Sequence, residues 1–126
     1  MATITNDGLE TIAKLIGGID STAPFTKIAL ASGTGGEGNT ETELDTEITT
    51  NGGARAAATV TYEADYKCKL VKNFEFTGAL TINQVGAFNA ASAGKLGLMH
   101  QYSNPKVVEN GDQLEITIKF TVARSA

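Results

Sequence analysis

Apolar and polar residues alternate without a break from Leu114 to Val122. Side chains on a strand point to opposite faces in turn, so Leu114, Ile116, Ile118, Phe120 and Val122 share one face. Glu115, Thr117, Lys119 and Thr121 share the other. This pattern predicts a half-buried antiparallel strand. Lys67 to Thr77 reads the same way, with Leu70, Phe74 and Phe76 turned inward. Further strands are expected over Thr26–Ser32, Ala54–Glu63, Leu80–Ala90 and Leu96–Tyr102, with a weak edge strand over Leu44–Thr50. Asn51-Gly52-Gly53 and Asn110-Gly111 mark turns, and Asn104-Pro105 is expected to end a strand.

The period changes near the N-terminus. Leu9, Ile12, Ala13, Leu15, Ile16 and Ile19 recur at helical spacing. Asp7 followed by Glu10 fits a capping box, and Gly17-Gly18 supply the stop. A helix over 7–17 follows, preceded by a short arm over residues 1–6. Its one apolar stripe must dock on something. With strands spread over residues 26–123, the expected architecture is mainly β. It is a single-domain antiparallel β-sandwich or Greek-key barrel, spanning residues 1–126, with one short N-terminal α-helix.

Composition narrows the function. The chain has 126 residues, and only 19% of them are charged, which suits a surface that packs against other subunits. A net charge of −4 argues against nucleic acid as a partner, since phosphate contacts need clustered Lys and Arg. The charge is uneven: residues 1–65 hold ten acids against three bases, and residues 66–126 hold four against seven. No apolar run approaches the ~20 residues that span a bilayer, so no membrane partner is expected. The N-terminus shows no signal core, and folding in a cytoplasm is expected. A single cysteine, Cys68, leaves no intrachain disulfide.

Candidate chemistry is sparse. Gly33-Thr34-Gly35-Gly36-Glu37-Gly38 formally matches GxGxxG, but the polar Asn39-Thr40-Glu41-Thr42-Glu43 follows instead of an apolar helix. A loop is the better reading. Glu41, Glu43, Asp45 and Glu47 alternate, so in extended chain they form a flat row on one face, which does not converge on a metal. His100 has no partner motif near it in sequence, and Cys68 reads as a buried or inert thiol. No catalytic, cofactor-binding or metal site is expected. The arm and the Gly-rich loop are the candidate subunit interface, through Thr3, Ile4, Thr5, Asn6, Gly35, Gly36 and Glu37. An extended arm can add to a neighbour's sheet edge. On that reading, deleting residues 2–6 spares the fold.

Four segments carry a resemblance. They are Ile4-Thr5-Asn6-Asp7-Gly8-Leu9, then Phe25 to Gly35 (FTKIALASGTG), then Val85 to Ser92 (VGAFNAAS), then Val107 to Leu114 (VVENGDQL). With Gly53 to Val60 between them, they resemble a family of small tailed-phage virion structural proteins, both head decoration and tail-fibre-like. Members usually have Thr or Ala where Gly36-Glu37-Gly38 stands, and an acidic residue near Gln84. The resemblance implies a non-enzymatic virion component, made in the host cytoplasm. The expected function is a capsid decoration (cement) protein that stabilises the head by bridging capsomers. Its partners would be the major capsid protein and itself, as a homotrimer. The alternative is a tail, baseplate or fibre-associated subunit involved in host attachment, with tail proteins or the host surface as partners.

Overall fold

The computed structural model describes residues 2–125; Met1 of the arm lies outside them. The strands are β1 (Thr3–Ile4), β2 (Lys27–Ala31), β3 (Ala56–Ala57), β4 (Thr59–Glu63), β5 (Lys67–Glu75), β6 (Leu80–Phe88), β7 (Leu96–Val108) and β8 (Gln113–Thr121). One sheet runs β1-β7-β6-β2-β3 and the other β4-β5-β8, all antiparallel. This is a β-sandwich with one helix, α1 (Asn6–Gly17).

The alternating patterns fill its core. Leu70, Phe74, Ile116, Ile118 and Phe120 from the small sheet meet Ile28, Leu30, Ile82, Val85 and Leu98 from the large one. Phe25 stacks on Phe120 with ring centroids 5.3 Å apart. The large sheet is also covered on its second face, where Ala29, Ala31, Leu44, Phe88, Leu96 and Met99 form a separate cluster. The cover includes the loop after β2, through Leu44. Consequently β6 is buried on both sides from Ile82 to Phe88.

Four elements differ from the sequence pattern. Residues 44–50 form no strand; only Ala31 and Glu47 bridge. The expected strand over 54–63 is two strands, because the chain leaves the large sheet after β3 and enters the small one at β4, with Ala58 between them. β7 continues through Pro105. There the β6 register steps from Ile82–Lys106 to Gln84–Gln101, and the extra β7 residues bulge out. A residue without an N–H breaks no ladder at such a bulge. Val122 lies beyond the end of β8 and is 73% exposed, not in the core.

The helix starts one residue earlier than expected and is capped by Thr5. Thr5 is extended, and its hydroxyl accepts from the Gly8 N–H at 2.9 Å. Asp7 stays in the first turn, at the positive end of the helix dipole. Gly18 ends the helix in the left-handed conformation. The helix turns Gly8 and Thr11 inward, while Leu9 and Ile16 stay exposed. Gly8 decides this. A Cβ there would lie 2.2 Å from the Gly97 carbonyl oxygen, so only a glycine lets α1 lie this close to β7.

Candidate functional site

The arm and the Gly-rich loop meet at the open edge of β7. β1 pairs only Thr3 with Met99 and Ile4 with Leu98, so the β7 edge is uncovered from His100 onward. Glu37 fills that gap. Its carboxylate accepts from the Gln101 N–H at 2.8 Å, sits 3.0 Å from His100 Nδ1, and accepts from the Thr3 hydroxyl at 2.5 Å. Burial alone would raise this carboxyl. The bonds from Thr3 and Gln101, with the charge and hydrogen bond of His100, outweigh it and hold the group below its ordinary value.

A pair of amides, Gln84 buried and Gln101 half-buried, fixes the rest of the loop. The Gln84 side chain donates to the Gln101 Oε1 at 2.9 Å and accepts from the Asp45 N–H at 2.8 Å. Gln101 Oε1 also accepts from the Gly36 N–H at 2.8 Å. Asp45 in turn accepts from the Gly35 N–H at 2.8 Å. Two backbone N–H groups of the GxGxxG match, at Gly35 and Gly36, are therefore taken by side chains of the same chain. Gly33 and Gly35 give Asp45 room, since a Cβ on either would fall within 3 Å of it.

The structure thus brings together the residues singled out as an interface, but it joins them within one chain. The arm pairs with its own β7 instead of extending free. Thr5 is fully buried, with its hydroxyl donating to the Leu96 carbonyl, and the Asn6 N–H bonds the Asn39 carbonyl at 2.7 Å. Asn6 and Gly35 remain exposed. Deleting residues 2–6 would strip a strand, the helix cap and the Glu37 tie, so it would remove contacts within the chain and not only contacts between subunits.

The remaining candidates scatter. Glu41 to Glu47 form no flat row, because the chain turns at Asp45-Thr46. Glu47 turns to Arg55, which sequence inspection did not single out. The guanidinium grips Glu47 with two bonds of 2.6 and 3.0 Å. It also donates to the Ala90 and Ala93 carbonyls and lies 3.6 Å above the Phe88 ring. No three His, Cys, Asp or Glu side chains converge as a metal set among the described residues. Cys68 is exposed, not buried. It lies beside Val60, Tyr62, Tyr66 and Val122, which form an apolar surface at one end of the small sheet.

The family described as "Podophage GP4 fiber I protein gp80" matches residues 7–123. The chain belongs to that family. No curated protein matches the chain. The family is one of tailed-phage virion structural proteins. Its match takes in the loop residues Gly35, Gly36 and Glu37 and begins just after Asn6, so Thr3–Asn6 of the arm lie outside the matched region. The fibre-protein match covers every strand but β1.

Proposed function

We propose that the chain is a non-enzymatic structural subunit of a phage fibre or of the tail assembly that holds it. The observation that carries this reading is the fibre-protein family match over residues 7–123. It favours the fibre over capsid decoration, the function expected first from sequence.

The surface agrees with a role in assembly. Leu9, Ile16, Ile19, Val60, Tyr62, Tyr66 and Val122 are all exposed. Large apolar side chains gathered on a surface mark sites that other protein covers. The partners are further copies of the chain and neighbouring tail proteins, and Asn6 and Gly35 face them at the arm-and-loop patch. A fibre component also lies where host attachment occurs.

Immunogold labelling of purified virions tests the reading, together with the copy number relative to the major capsid protein. Label at the tail with a small copy number is expected. Hundreds of copies spread over the head would overturn the fibre reading and restore capsid decoration.

A further inference from the structure

The small sheet is longer than the surface that covers it. Directly paired residues share a face, so the rows Val60–Leu70–Ile118 and Tyr62–Cys68–Phe120 all belong to its core face. Leu70, Ile118 and Phe120 are buried under the large sheet. Val60 is 42% exposed, Tyr62 71% and Tyr66 64%. With Cys68 and Val122 they line an open concavity of about 510 Å³. The core face thus runs on into solvent.

The strand that carries Val60 and Tyr62 is also an edge. β4 ends the sheet order, and its other side pairs with nothing among the described residues. Edge strands are commonly protected by Lys, Pro or a bulge. β8, at the opposite end of this sheet, carries Glu115 and Lys119. β4 reads Thr-Val-Thr-Tyr-Glu and pairs with β5 in five consecutive regular steps. Its single charge, Glu63, is occupied by Lys119 at 2.8 Å and Lys69 at 3.5 Å on its own sheet.

We propose that β4 pairs with β4 of a second copy, antiparallel about a two-fold axis through Thr61, to make one six-stranded sheet. The strand is self-complementary in that register. Val60 falls opposite Tyr62 of the partner subunit, and Tyr62 opposite Val60 of the partner subunit. Both apolar pairs lie on the core face, so each concavity is closed in part by the other copy. A shift of one residue would place apolar side chains against the threonines of the other face. A shift of two would leave residues at the strand ends unpaired. Charge fits as well. Glu63 falls opposite Thr59 of the partner subunit, and the two Glu63 side chains lie four residues apart, ~14 Å along the ladder. That exceeds the screening length of about 8 Å at physiological salt.

The inference goes beyond the fibre reading and does not depend on it, because it concerns the purified chain and not its place in the virion. The test uses sedimentation equilibrium across a concentration series, with disulfide trapping in a Cys68→Ser background. Wild type is expected to dimerise. Thr61→Glu is expected to stay monomeric with an unchanged melting temperature, since the new carboxylate faces Lys69 within the chain but its own copy across the axis. Thr61→Cys is expected to oxidise to a covalent dimer, because residues paired directly across a ladder lie within disulfide reach. Thr59→Cys is expected to remain uncrosslinked. A wild type that stays monomeric at every concentration would overturn the proposal. So would a trimer unaffected by Thr61→Glu, or crosslinking at Thr59 as efficient as at Thr61.

Discussion

Replacing Glu37 with Gln isolates what the loop tie contributes. The side chain keeps its size but loses its charge, and one of two acceptor oxygens becomes an NH2 donor; turned toward Thr3 it meets a hydroxyl that can rotate to accept, while the remaining oxygen still accepts from the Gln101 N–H. Hydrogen bonds to a charged group contribute roughly 1.5–3 kcal/mol each, and the amide retains part of the set, so a net loss of about 2 kcal/mol is expected. For a chain of 126 residues the unfolding entropy is about 0.26 kcal/mol/K, which converts that loss to a fall of about 8 °C in melting temperature. The loss depends on pH with a defined sign. The folded carboxyl titrates below its ordinary value of 4.5, so its stabilisation is complete above that value. It disappears as pH falls through the folded value. Thermal melts of wild type and Glu37→Gln should therefore differ most near neutrality and converge at an acid pH below the folded value. An equal gap at both pH values, or no gap at neutrality, would refute the claim that an ionised Glu37 holds the loop to β7.

Three further changes probe the scaffold by thermal melts and circular dichroism. Gly8→Ala should destabilise by roughly 1–3 kcal/mol despite its better helix propensity, because its Cβ collides with Gly97, whereas Gly17→Ala, whose Cβ meets only the flexible Ile19 side chain, should be neutral or stabilising. Arg55→Ala should lower stability by roughly 3 kcal/mol, since it strands the partly buried Glu47 and uncovers Phe88, and a shift below about 1 kcal/mol would show the clamp to be ornamental. Ile118→Asp should leave the protein unfolded or insoluble while Thr117→Asp, on the exposed face, is tolerated; equal stability of the two would contradict the strand's orientation.

The strands with one buried face were legible because period-2 alternation is written locally. Ile116, Ile118 and Phe120 needed no knowledge of the rest of the chain. The helix was legible too, but its docking face only in part. That face is chosen by Gly8, a residue without a side chain; of the apolar stripe, Ile12 packs against the core and Leu15 is half-buried, while Leu9, Ile16 and Ile19 stay exposed. Val122 misled for a related reason: the alternation continues past the point where the large sheet ends, and sequence does not record the extent of the cover. The polar ties were hidden by distance. Glu37 meets Gln101, and Gln84 meets Asp45, across dozens of residues and without any motif. Glu37 was singled out only as part of a loop, and Arg55 was passed over as one charge among many.

The two ends of the chain are anchored very unequally. β1 holds to β7 through two residue pairs, while β8 holds to β5 through nine. A load carried through the molecule from residue 2 to residue 125 would meet its weakest ladder at the N-terminal side. The arm would peel first, freeing the loop that Glu37 fastens, while the sandwich behind it stays closed. Force spectroscopy should record that early, short extension before the main rupture, and a single rupture would count against it. In a fibre, such a domain bears tension best when it is gripped by β8 and its neighbours, with the arm serving as slack.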